Sequence, residues 1–245
     1  MHQLRFAFVF FYAFAGGFLI SCGGGVKEKN STDTTSTDST AMNTAPETNT
    51  ISTTPQNMMI VRHKVADFAK WKTSYDEHDS LRLANGIHSF VIGRGLKDSN
   101  MVLVAVKVDD ITKAKAFAKD PSLKEAMKKG GVIGAPSFDF VTMTFQDTAV
   151  ISSDLRSRTT FKVKDWGTWQ KSFEDGKQER EANGITARAY GHDVDDDHKV
   201  TLVTALLDTA KANAYWKSDM LKQRRVASGV MGEPDRFVFR IVQRY

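Results

Sequence analysis

Apolar positions along this chain change period in a fixed order, and the order occurs twice. Met58 to Val65 is rich in β-branched and apolar residues and reads as a strand. Asp67 is a good N-cap, followed by apolar positions at helical spacing as far as Ala84, where Asn85-Gly86 supplies a stop. Ile87 to Arg94 and Met101 to Val108 read as strands joined by the polar turn Gly95 to Asn100, hence a hairpin. Asp110 caps a second helix, Pro121 restarts it as a shorter piece through Lys129, and Gly130-Gly131 ends it. Phe138 to Phe145 is the last strand of the set. Residues 159–243 repeat the sequence of elements, aligning without a gap on 61–145 at a shift of 98 positions. Val65, Asp67, Trp71, Ser74 and Arg82 answer to Val163, Asp165, Trp169, Ser172 and Arg180, and Ala84-Asn85-Gly86-Ile87 recurs as Ala182-Asn183-Gly184-Ile185. The second hairpin turn is Asp193 to Lys199.

Strand, helix, strand, strand, helix, strand, read twice, predicts an α+β chain of two ferredoxin-like βαββαβ repeats. One face of each antiparallel sheet is covered by its own helices, and the second copy supplies a cover for the other. On this order, the duplication and the aromatic first helix (Phe68, Trp71 and Tyr75; Trp166, Trp169 and Phe173), the chain resembles the dimeric α/β-barrel superfamily in a fused form, including antibiotic-biosynthesis-monooxygenase-type domains. The resemblance implies that repeat 1 (58–147) and repeat 2 (156–245) build one intrachain barrel, and that ligands lie between helices and sheet.

The N-terminus changes where such a barrel is expected to work. Arg5 precedes an apolar and small-residue run from Phe6 to Ile20, about 15 residues and short for a membrane span of about 20. It ends in Leu19-Ile20-Ser21-Cys22, which resembles a bacterial lipobox and implies removal of residues 1–21 and acylation, palmitate included, of the sole cysteine, Cys22. Residues 22–57 are rich in Gly, then Ser, Thr, Asn and Asp, and hold too little apolar surface to offset the entropy of ordering, so a disordered stalk is expected. The expected location is the cell envelope: lipid-anchored, at the outer membrane, facing the periplasm or the cell surface. The partner there is the bilayer, reached through acylated Cys22.

Composition adds little: 41% hydrophobic and 26% charged residues are ordinary for a globular chain. A net charge of +5 with Lys and Arg scattered among acids, behind an export signal, points away from nucleic acid. Neither a G-x-S-x-G elbow, a P-loop nor a cysteine nucleophile is present, so hydrolase and nucleotide-triphosphatase readings lose their support. No cofactor is expected. The run from Gly191 to His198, with His192, Asp193, Asp195, Asp196 and Asp197, offers hard ligands but matches no metal-loop spacing and reads as a solvated acidic turn, so no metal is expected either.

Candidate chemistry concentrates on the first helix of each repeat. Phe68, Trp71, Tyr75, His78 and Arg82 share one helical stripe, answered by Trp166, Trp169, Phe173, Gly176 and Arg180. Such aromatics serve as core; they also wall a pocket if one exists, with Tyr75, Arg82, Trp169 and Arg180 as ligand-binding candidates. Arg82 and Arg180 would hold an anion or pair with a nearby carboxylate. The resemblance to monooxygenase-type domains implies Trp71, His78 and Asn85 as catalytic candidates, although Asn85 in Asn-Gly is explained by helix termination alone. His63, matched by Phe161, reads as a satisfied core or barrel histidine; His63, His78 and His88 would be the haem-handling candidates. The leading expectation is a membrane-anchored small-ligand-binding or structural module, with a cofactor-independent monooxygenase-like enzyme as the alternative.

Overall fold

Six helices begin where a short polar side chain can satisfy the free N–H groups of the first turn: Asp67, Asp110, Asp120, Asp165, Asp208 and Ser218 each accept a backbone hydrogen bond there. The computed structural model describes residues 49–245. Cys22 and most of the expected stalk lie outside the described residues. Repeat 1 contains β1 (Ile51–Ser52), β2 (Gln56–Val65), α1 (Phe68–Glu77), α2 (Asp79–Ala84), β3 (Ile87–Gly95), β4 (Met101–Val108), α3 (Ile111–Phe117), α4 (Pro121–Lys129) and β5 (Val132–Asp147). Repeat 2 follows with β6 (Leu155–Val163), α5 (Trp166–Asp175), α6 (Lys177–Ala182), β7 (Ile185–Asp193), β8 (Lys199–Leu206), α7 (Thr209–Trp216), α8 (Asp219–Ala227) and β9 (Val230–Arg244).

Three boundaries differ from the sequence-based expectation. Chain expected as stalk is already in the sheet, because β1 pairs with the end of β5 and β2 begins at Gln56. The last strand of repeat 1 starts at Val132 rather than Phe138, since Lys64 and Val65 pair with Ile133 and Val132 beyond a bulge. The first helix does not run unbroken to Ala84; it stops at His78 and restarts, as its counterpart does at Gly176.

All strand pairings are antiparallel, in the order β1-β5-β2-β4-β3-β9-β6-β8-β7, and β5 also pairs with β7. That extra pairing closes eight strands, β2 to β9, into a barrel with two seams between the repeats, β3–β9 and β5–β7. Gly93 and Gly191, equivalent under the repeat, occupy these seams. A Cβ on Gly93 would lie 2.1 Å from the Phe239 ring, and one on Gly191 2.0 Å from the Thr142 carbonyl oxygen.

The pleat sorts side chains onto two faces. Met59, Val61 and Val65 of β2 face the helices and pack with Trp71 and Phe117. Met58 and Ile60 face the lumen with Leu103, Val141, Met143 and Phe239. Repeat 2 puts charge on its lumen face instead: Arg158 is buried and bonds Asp139 across the repeats at 2.7 Å, and Asp139 also accepts from Lys199 at 2.9 Å.

Candidate functional site

The break in the first helix explains the recurring arginines. Where α1 stops, the Tyr75 carbonyl loses its helical partner, and Arg82 Nη1 donates to it at 2.6 Å. The Arg82 guanidinium lies 3.6 Å from the centre of the Tyr75 ring and pairs with Asp79 at 2.9 Å. Arg180 does the same for Phe173, donating to its carbonyl and stacking on its ring at 3.6 Å, but pairs with no carboxylate among the described residues. Arg82 thus fits the salt-bridge expectation and Arg180 does not. Both are buried rather than exposed ends.

Between helices and sheet, each repeat encloses a cavity at the same place. That of repeat 1 holds about 80 Å³ and is lined by Val61, His63, Trp71, Tyr75, Leu81, Met127 and Phe138 among others, a mostly apolar wall. Its polar members are Ser74, Tyr75, His78 and Arg82 from the helical segment and, from the sheet, His63. His63 is 3% exposed and packs 5.3 Å from Trp71, and neither ring nitrogen has a hydrogen-bond partner. It is therefore buried but not satisfied, contrary to expectation, because α1 sets an indole opposite it and brings no polar atom within hydrogen-bond reach. Burial alone pushes its pKa down to about 4, leaving a neutral imidazole.

The cavity of repeat 2 holds about 90 Å³ and is lined differently. Where repeat 1 has Val61, Val106, Ala126, Met127 and Phe138, repeat 2 has Thr159, Thr204, Arg224, Arg225 and Arg236. With Arg180, four guanidiniums reach the lining, which contains no Asp or Glu. Arg224 is held by Glu179, which also accepts from the Tyr215 hydroxyl at 2.6 Å; burial and this bond push the Tyr215 pKa up to about 12. Room for the pair of arginines comes from Gly176: a Cβ there would meet Arg180 Nη1 at 3.0 Å and Arg224 Nη1 at 3.1 Å.

Of the sequence candidates, Trp71, Tyr75, His78 and Arg82 line the first cavity, and Trp169 and Arg180 the second. His78 turns Nδ1 to the Ser74 carbonyl at 2.6 Å. Asn85 is not in the lining; its amide donates to the Leu81 carbonyl at 2.9 Å at the end of α2. His88 lies on the surface beside Asp109, outside both cavities. The residues that sequence reasoning passed over are His63 as an unpaired base and Arg224, Arg225 and Arg236. The repeat alignment carried a signal for the three arginines, since each replaces an apolar residue of repeat 1.

A larger space of about 540 Å³ opens from the lumen at the end covered by residues 147–151. Its Arg188 pairs with Asp147 at 2.8 Å, and Arg156 donates to the Ser153 and Leu155 carbonyls. The acidic hairpin brings Asp196, Asp197 and His198 together, yet two of its carboxylates are paired with lysines, Asp195 with Lys115 and Asp196 with Lys162, and His198 Nδ1 lies 2.9 Å from Asp197. No helix among the described residues is long and apolar enough to cross a membrane.

No protein-family model and no curated protein sequence matches the chain. Solved structures do. A candidate monooxygenase from Fusobacterium nucleatum subsp. nucleatum superimposes with a TM-score of 0.51 at 11% identity, covering 77% of this chain and 93% of its own. An anthrone oxidase-like protein gives 0.52 at 13% identity over 77% and 92% of the two chains. A candidate chlorite dismutase gives 0.51 at 12% identity over 77% and 95%. The fold is that of a fused dimeric α/β barrel. Identities this low establish the fold of this barrel and carry no residue roles.

Proposed function

We propose that this chain is an envelope lipoprotein, acylated at Cys22, whose fused barrel is a small-ligand-binding module using the cavities between helices and sheet. The observation that carries the binding reading is the divergence of those cavities. Both repeats keep the frame, Trp71 with Arg82 and Trp169 with Arg180, while the wall facing the empty space changes from apolar to cationic. A core kept only for packing has no use for three half-buried arginines in place of Ala126, Met127 and Phe138. The lipid anchor rests on the apolar leader and the position of Cys22; two or three acyl chains would hold the barrel at a membrane firmly.

The binding reading is tested by thermal unfolding of the detergent-solubilised full chain with benzoate, phosphate, indole and phenol in turn. A ligand at 100 times its Kd adds about 2.7 kcal/mol of stability, so at least one compound should raise Tm by several degrees. If none moves Tm at millimolar concentration, the module is structural. The anchor is tested separately: labelled palmitate should enter the wild-type chain and not Cys22→Ser.

A second reading, a cofactor-independent monooxygenase-like enzyme, is supported by His63, a neutral base facing a cavity with Trp71 and Tyr75. The names of the fold neighbours favour it too, at the level of fold. Of the expected catalytic set, Trp71 and His78 border this cavity, and Asn85 is engaged in ending α2. Oxygen uptake with an anthrone or quinol substrate, abolished by His63→Phe, is the result this reading requires.

A further inference from the structure

The arginine-lined cavity of repeat 2 has more cationic donors than its own structure uses. Arg180 and Arg224 are partly committed, one to the Phe173 carbonyl and the other to Glu179. Arg225 and Arg236 are not: neither guanidinium makes a hydrogen bond or an ion pair with any described residue. The Arg236 guanidinium lies over the Trp216 ring, 4.1 Å from its centre, and its Nε is buried without a partner, as are those of Arg180 and Arg224. Burial, then the charge of Arg225, lowers the Arg236 pKa to about 10, still far above neutral pH, so the site stays cationic. Glu233 is the one carboxylate that bears on Arg225, and it forms no ion pair with it. Thr159, Ser172, Thr204 and Ser228 add hydroxyls around the same space.

Half-buried like charges that outnumber the carboxylates paired with them are costly, and the cost is relieved when an anion enters. Guanidinium forks match the two oxygens of a carboxylate or a phosphoryl group. A volume of about 90 Å³ has room for such a group, with Trp169, Phe161, Leu202 and Leu221 as the apolar wall beyond it. Repeat 1 is the internal control, since the same frame there lacks three of the four cations.

We propose that the repeat 2 cavity is an oxyanion site that binds a carboxylate or phosphoryl group of a small molecule between Arg225 and Arg236. This rests on the reading of the cavities as ligand sites and names the ligand class for one of them. Trp216 orients Arg236 from below, and Gly176 leaves space for Arg180 and Arg224 to complete the positive wall.

The test is calorimetric titration of the full chain in detergent with benzoate, inorganic phosphate and benzyl alcohol. Arg225→Met and Arg236→Phe carry over the repeat 1 residues, and Arg236→Lys keeps the charge without the fork. Benzoate or phosphate should bind, and each of the first two variants should weaken binding about tenfold to a hundredfold, the range for loss of a charge-assisted contact. Arg236→Lys should lie between. Tighter binding of benzoate identifies a carboxylate on an apolar body, and tighter binding of phosphate identifies a phosphoryl group; both support the proposal. Benzyl alcohol binding as well as benzoate, or anion affinity unchanged in Arg225→Met and Arg236→Phe, overturns the oxyanion site but leaves the cavity a ligand site. If no anion binds while indole or phenol still raises Tm, the inference fails alone; if nothing binds, both fail.

Discussion

His63 is the residue whose environment fits its chemistry least. Its counterpart Phe161 meets Trp169 at 5.5 Å and 60°, nearly the geometry of His63 with Trp71, 5.3 Å and 54°, so the site accepts a phenyl ring. His63→Phe removes a buried unsatisfied polar group and should stabilise the chain by about 1–3 kcal/mol at pH 7. The pH dependence has a definite sign. The folded pKa of about 4 lies below the ordinary histidine value of 6.5, so between these values the unfolded chain holds the extra proton and stability falls as pH falls. The wild type should lose up to about 3 kcal/mol over that window through this group, and His63→Phe should not. Urea unfolding at pH 7, 5.5 and 4.5 checks both; equal pH slopes in the two proteins would show that the imidazole is hydrated. The helical spacing already placed Trp71, Tyr75 and Trp169 on the cavity side. The isolation of His63 was not legible, because it depends on what α1 sets against β2.

At the scale of elements, the seams are the demanding places. Gly191→Ala puts a Cβ against the Thr142 backbone oxygen, which no rotamer change can relieve, so β5 and β7 must separate locally. A loss of several kcal/mol is expected, in the range of overpacking and lost ladder bonds together. Amide exchange in β5 and β7 should rise most, whereas exchange rising equally in β2 and β4 would place the strain elsewhere. At Gly93 the obstacle is the Phe239 side chain, which can turn, so Gly93→Ala should cost less. Element order, both hairpins and the restart at Pro121 were legible because caps, turns and periodicity are local signals. The longer β5, the early start of β2 and the break at His78 were not. The two strand ends are set by partners distant in sequence, β5 by β2 and the start of β2 by β5, whereas the helix stop depends on a side-chain cap, Arg82 on Tyr75, that spacing alone does not announce. The repeat alignment marks Arg224, Arg225 and Arg236 as departures from repeat 1, but their convergence on one cavity depends on how α8 and β9 pack together.

At the scale of the whole molecule, the barrel is held as one object by contacts that belong to neither repeat, and Asp139 is the most consequential. It comes from β5 of repeat 1 and binds Arg158 and Lys199 of repeat 2, with the Arg158 side chain only 3% exposed. Asp139→Ala would leave Arg158 buried without its counter-charge, at a cost of about 3–5 kcal/mol. If the seams make a single cooperative unit, the variant should unfold in one urea transition with a lower midpoint and an unchanged slope. Two transitions would mean that the repeats fold independently and merely touch. Acid distinguishes this contact from His63. Burial would raise the Asp139 pKa, but Arg158 and Lys199 outweigh it and hold the carboxyl below its ordinary 3.8. Its contribution is therefore complete above that value and lost as pH falls from there through the lower folded pKa, beneath the window in which His63 acts. Asp139→Ala should keep the stability slope between pH 6.5 and 4 and flatten the one below it, and His63→Phe should do the reverse. A variant that changed both slopes would show that helix-side cavity and lumen are coupled through β2 and β5.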